Sequence, residues 1–197
     1  GYKIGQSFLG AKIHDAKDPS VDLSAMLMQV TGAVLSLMGV HAARWREVRA
    51  SHPVPVFGFE YAVGLEPVPV NLARMLERFR TGARELGEIW QHTLHPATAR
   101  EIAAVAAASD EEFAFPPALW VRTMYDFAVA HQHGRLNREH LLRSLTPLYL
   151  GRTAAFVVQT RESGAEEVEQ ILEELCLQFE REKPYLLERW DETGGGR

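Results

Sequence analysis

The run Asn137-Arg138-Glu139-His140-Leu141-Leu142-Arg143-Ser144-Leu145-Thr146-Pro147-Leu148-Tyr149-Leu150-Gly151-Arg152-Thr153-Ala154-Ala155-Phe156-Val157-Val158 decides the fold class. Asn137 is a good N-cap, because its side-chain oxygen can accept from the free amides of a first helical turn. A helix is expected from Arg138. Pro147 lacks a backbone donor and crowds the turn before it, which predicts a kink or a break near Ser144. From Leu148 to Val158 the chain is at its most apolar.

Helical patterns continue on both sides of this run. Towards the C-terminus, Gly164 precedes a helix expected to turn Val168, Ile171, Leu172, Leu175, Cys176 and Phe179 inward and its glutamates outward. Pro184 interrupts before Tyr185 to Trp190, and 191–197, ending in Gly194-Gly195-Gly196-Arg197, reads as a flexible tail. Towards the N-terminus, Pro116 and Pro117 open a helix with Leu119, Trp120, Met124, Phe127, Ala128 and His131 on its apolar side. Another spans Pro96 to Ala108, and Asn71 caps one carrying Leu72, Met75, Leu76, Phe79, Ala83, Leu86 and Trp90. The prolines at 53, 55, 67 and 69 forbid a regular helix from Ser51 to Val70, leaving a partly extended connection. Before it, Asp22 caps a long helix from about Leu23 to Arg49. The expectation is a mainly α fold, without internal repeats, with a short strand in front.

That strand rests on Tyr2, Ile4 and Phe8 at even positions. A lone strand has no sheet to join unless another domain supplies one. A frayed terminus is the ordinary reading; the sharper one is that the chain is the C-terminal part of something larger. The organisation expected is therefore 1–21 as a strand and loop, 22–190 as a helical domain, and 191–197 as a tail.

Composition narrows the function classes. Of 197 residues, 46% are hydrophobic and 24% charged, which suits a globular fold. Twenty-six acids against twenty-one bases give a net charge of -5, so no general excess of positive charge exists for a phosphate backbone, and no nucleic-acid partner is expected. The single cysteine, Cys176, reads as a buried thiol in a reducing compartment. No apolar run reaches the roughly 20 residues that span a bilayer, and no signal peptide is evident. No membrane association is expected, and the location expected is cytoplasmic.

Standalone catalytic machinery is mostly missing from the text. There is no Gly-rich phosphate loop, no G-x-S-x-G and no H-E-x-x-H. His131 and His133 are two apart and diverge on a helix, so they read as solvent-facing residues favourable to its C-terminal end. The segment Leu9-Gly10-Ala11-Lys12-Ile13-His14-Asp15-Ala16-Lys17-Asp18-Pro19-Ser20-Val21-Asp22-Leu23 is different: it sets a histidine, three carboxylates and two lysines between strand and helix. Such loops collect ligand-contacting groups. His14 can offer a neutral ring nitrogen to a metal, and Lys12 and Lys17 can meet phosphates; the ordinary alternative is turn-capping aspartates and solvated lysines.

Gln6-Ser7-Phe8-Leu9-Gly10-Ala11-Lys12-Ile13-His14, followed by Asp22-Leu23-Ser24-Ala25-Met26-Leu27, resembles the end of the catalytic domain in GT-A glycosyltransferases. The nearest types are mannosylglycerate synthase, glucosyl-3-phosphoglycerate synthase and related family 2 enzymes. Ser144 to Val157 also resembles the C-terminal helical domain of such transferases. The resemblance implies that an N-terminal nucleotide-binding α/β domain holds a D-x-D motif. It further implies that His14 completes the coordination of a divalent metal, Mn²⁺ or Mg²⁺, bridging the diphosphate of a GDP- or UDP-sugar. Met26 falls beside the active site in that family. Lys12, Lys17 and Arg152 are expected as further substrate contacts, Arg152 holding a carboxylate or phosphate in its planar fork or else serving a buried ion pair.

The chain departs from that pattern in having no D-x-D. The expectation is thus the C-terminal part of a nucleotide-sugar-dependent glycosyltransferase acting on a small acceptor, inactive by itself. An alternative from another class is a non-catalytic helical interaction or dimerisation module, with helical surfaces available for a homo-oligomer.

Overall fold

The computed structural model describes residues 5–9, 24–50, 54–59, 70–134 and 136–194. In chain order these form β1 (Gln6–Ser7), α1 (Ser24–Val40), α2 (Ala42–Glu47), β2 (Val56–Phe57), α3 (Leu72–Glu85), α4 (Gly87–Thr93), α5 (Pro96–Ala107), α6 (Pro117–His133), α7 (Arg138–Thr160), α8 (Ala165–Arg181) and α9 (Lys183–Gly194). The fold is mainly α.

Short polar side chains set the helix starts as the sequence predicts. Asn71 Oδ1 accepts from Arg74 N at 3.0 Å, and Asn137 Oδ1 accepts from Glu139 N at 2.9 Å and His140 N at 3.2 Å. Each satisfies amides that no helical carbonyl can reach. Pro96 and Pro117 sit in first turns, where their missing amides cost nothing.

α3 lies against α7, and their contact forms the centre of the core. A β-carbon on Gly82 would stand 2.3 Å from Pro147 Cβ, and one on Gly151 would stand 2.8 Å from the Phe79 ring. The two helices therefore run antiparallel, each offering a glycine to the other's bulk. Met75, Phe79, Leu141, Leu145 and Leu148 are fully buried along this seam, each worth about 1.5–3 kcal/mol of transfer free energy. The Phe79 ring also meets Phe113 at 6.0 Å and Phe115 at 5.9 Å.

α7 corrects the break expected near Ser144, since the helix runs unbroken through Pro147. Proline at 147 leaves the Arg143 carbonyl without its helical donor. The next carbonyl, Ser144 O, receives the indole N–H of Trp90 at 3.0 Å in a buried position. This bond adds a cross-helix tie beside the proline turn; it does not replace the donor that Arg143 O lacks.

A buried carboxylate joins α6, α5 and α9. Asp126, wholly buried, accepts from Tyr185 Oη at 2.8 Å, from Arg189 Nε at 3.1 Å and from the His95 amide at 2.8 Å. Burial works against the Arg189 charge, and the Asp126 bond and charge more than offset it, so its pKa lies above the ordinary value. α9 also reaches α2, through Arg46–Asp191 at 2.7 Å and the edge-on pair Trp45–Trp190 at 5.1 Å.

Other departures have local causes. The single helix expected from 23 to 49 is divided at His41, because Trp45 Nε1 donates to Met38 O at 2.7 Å and occupies a carbonyl that a continuous helix would use. The helix expected through Trp90 is likewise divided at Leu86. His131 is buried at 3% exposure, not solvent-facing, and its Nδ1 finds no partner among the described residues. α8 was expected to bury its apolar side, yet none of its residues is buried, and Cys176 and Leu172 are exposed. Residues 191–194, expected as tail, continue α9, with Thr193 Oγ1 donating to Arg189 O at 2.9 Å.

Candidate functional site

The front strand does have a partner, and it comes from the same chain. β1 pairs in parallel with β2, Gln6 facing Val56 and Ser7 facing Phe57. Gln6 N donates to Pro55 O at 2.8 Å and Phe8 N to Phe57 O at 2.9 Å. Gly58, at φ +92°, permits the close approach that follows, where a β-carbon would stand 3.0 Å from Phe8 O. Because α1 and α2 lie between the two strands in sequence, residues 6–57 have the order of a β-α-β crossover. The sequence predicts a partly extended connection over 51–70 but not the pairing of β2, since two residues flanked by proline and glycine carry no alternation to detect.

This geometry gives meaning to the segment after β1. In parallel α/β sheets, ligands bind beyond the carboxyl ends of the strands. Lys12, His14 and Lys17 follow the carboxyl end of β1 in the chain; all three lie outside the described residues. Met26 is on the first part of α1 and is 46% exposed. Arg152 is 6% exposed in the middle of α7. The structure does not bring Met26 and Arg152 into one cleft.

Where α1 begins, a cleft of about 740 Å³ opens between α1, α3 and α7. Ser24 and Met28 line it from α1, Arg74 and Glu77 from α3, and Arg143 and Thr146 from α7. Arg143 is engaged with Glu139 at 2.7 Å, one turn earlier on its own helix. The Arg74 side chain has no partner among the described residues, and the Thr146 hydroxyl is shielded and unpaired. Beside the first turn of α1 the cleft therefore offers a free guanidinium, with an unpaired hydroxyl in its wall. That pairing suits an oxyanion with hydroxyl groups. Sequence reading missed Arg74 and Thr146; only the antiparallel seating of α3 on α7 puts them together.

A second cleft, of about 460 Å³, lies between α2, α6 and α9 and is lined by Met38, Trp45, Tyr125, Lys183 and Leu186. Its lysine is already engaged: Lys183 Nζ donates to Trp45 O and Val48 O, fastening the end of α2. Tyr125 Oη donates to Phe179 O at 2.5 Å, and burial, aided by Glu182 and Glu180, pushes its phenol up to about 12. This cleft holds helices together.

Arg152 has neither a carboxylate nor a hydrogen-bond acceptor among the described residues; its guanidinium carbon stands 5.9 Å from the centre of the Phe156 ring. Among the described residues it makes no ion pair. Burial alone holds its pKa below the ordinary arginine value. As for the metal implied by the resemblance, no three His, Cys, Asp or Glu side chains come together among the described residues, so these residues by themselves do not make a metal centre. No helix among the described residues is long and apolar enough to cross a membrane. No protein-family model matches the chain, and no curated protein or solved structure matches it.

Proposed function

We propose that the chain is the C-terminal helical part of a divalent-metal-dependent glycosyltransferase that moves a sugar from a GDP- or UDP-sugar to a small acceptor. The observation that supports this reading most is the parallel β1–β2 pair. Its Val56 and Phe57 are 54% and 61% exposed, with Phe59 at 81% and Leu9 at 93%. Parallel strands normally lie inside a sheet covered on both faces. A bare pair is an edge that further strands, such as those of a nucleotide-binding domain, would complete.

In this reading His14 supplies one metal ligand, and carboxylates from the nucleotide-binding domain supply the rest. Lys12 and Lys17 are then candidates for the diphosphate, and the Arg74–Thr146 cleft for the acceptor. Met26, 46% exposed on α1, is then open to contact with that domain. The enzyme would work in the cytoplasm, where the free thiol of Cys176 stays reduced.

The test is calorimetric titration of GDP and UDP into the intact protein with and without Mn²⁺, beside a His14→Ala variant. Metal-dependent binding that weakens at least about tenfold in the variant agrees with loss of a ligand. Equal binding by both proteins, or none by either, overturns the reading.

A second reading is favoured by one observation. Met26, Val30, Val34, Leu37 and Val40 are 46–75% exposed and fall at helical spacing along α1. Such a stripe also suits a self-associating module without chemistry. Sedimentation decides: a dimer that Val34→Glu converts to monomer, in a protein that binds no nucleotide, supports the module.

A further inference from the structure

The two deeply placed arginines of the helical body are treated differently. Arg189 is matched by Asp126, a carboxylate with no exposure at all. Arg152 is 6% exposed and has no matching charge among the described residues. Guanidinium stays protonated under all ordinary conditions, so the charge cannot be shed as a buried lysine sheds its own. An unpaired ion in this position costs several kcal/mol. The Phe156 ring face at 5.9 Å returns only a fraction of that.

The shielding is also uneven across the group. Nε is sealed from water and unpaired, whereas Nη1 and Nη2 are not among the sealed unpaired atoms. Neither has a protein acceptor among the described residues, which leaves both to an added acceptor. Tyr149, three residues earlier on the same face of α7, is half-buried, and its hydroxyl has no partner among the described residues. Its ring rests on Trp120 at 6.5 Å, which limits its freedom. A planar donor beside the Phe156 ring, with an unpaired hydroxyl one turn earlier on the helix, suits a small oxyanion.

We propose that Arg152 is the anchor of a binding site for a small oxyanion, a carboxylate or a phosphate, received between Tyr149 and Phe156 on α7. The anion supplies the counter-charge that the described residues do not. The site needs no metal and stands independently of sugar transfer, so loss of nucleotide binding in a His14 variant leaves it untouched.

The experiment follows thermal unfolding of the full chain in inorganic phosphate, and separately in malonate, against sodium chloride of equal ionic strength. The wild type should gain about 3–6 °C in Tm at tenfold the dissociation constant, saturably. Arg152→Met, which keeps the stem and removes the charge, should match or exceed wild-type Tm in chloride and show no gain with either anion. Arg152→Lys should fold and bind more weakly, because it keeps the charge and loses the fork. In the wild-type protein, the ¹⁵Nε–¹Hε resonance of Arg152 should be protected from exchange and shift with added anion, a reading that requires no variant. A gain with phosphate alone or malonate alone assigns the anion class. The proposal is overturned if neither anion raises Tm or moves that resonance, or if Arg152→Met responds as the wild type does.

Discussion

The ring of Pro147 occupies the place that a β-carbon on Gly82 would need, with Cβ at 2.3 Å and Cγ at 2.6 Å from it. A proline ring on an unbroken helix cannot swing aside, so α3 and α7 would have to separate. Gly82→Ala is expected to lose about 1–3 kcal/mol, despite the better helix propensity of alanine. Gly87→Ala, where nothing lies within 4 Å, should be neutral or stabilising. Urea unfolding of the two variants side by side checks both.

Trp90 reaches across to the same proline turn. Trp90→Phe keeps most of the packing and removes the second donor to Ser144 O, a carbonyl that also serves the α7 helix. A cost of about 0.5–1.5 kcal/mol is expected. A loss no larger than an exposed aromatic swap would show that water reaches Ser144.

Asp126 should be the most sensitive polar residue. Asp126→Ala leaves Arg189, Tyr185 and the His95 amide without their shared acceptor and is expected to cost about 3–5 kcal/mol. Arg189→Leu in the same background should return part of that loss. A double-mutant cycle reads the coupling; strict additivity would contradict the network.

Stability should depend on pH through His131. Burial first, then the nearby Arg138 charge, holds its folded pKa below the ordinary 6.5. Above that range the ring is neutral in both states and contributes no slope. As pH falls through the ordinary histidine range, the unfolded chain takes up the proton first, so stability drops until the folded pKa is passed. The urea midpoint measured from pH 8 to pH 5 should fall less steeply in His131→Gln than in the wild type.

Much of the helical frame was legible because it is written in local chemistry. Asn71, Pro96, Pro117 and Asn137 act within one turn of themselves, and their helices start where expected. What failed depended on distant partners. The Pro147 ring finds its room against Gly82, 65 residues earlier in the chain. Helical spacing correctly identified an apolar side on α8, but spacing does not say whether another element arrives to cover it. The same holds for the candidate site: Arg152 was visible as an arginine in an apolar run, whereas its missing carboxylate is a property of the whole neighbourhood. Arg74 and Thr146 gave no signal, since neither departs from its own helical pattern.

α8 is held chiefly at one end, where Tyr125 bonds Phe179 O and its ring meets the Phe179 ring at 5.6 Å. No side chain of α8 is buried at either end, and among the described residues none from 165 to 177 hydrogen-bonds another helix. The helix should therefore peel away from its N-terminal end while the α3–α7 seam stays closed, opening with a free energy far below that of the whole molecule. Amides of 165–175 would then exchange with deuterium ahead of those near Phe179, and a protease would find its first foothold there, with the rest of the fold still standing.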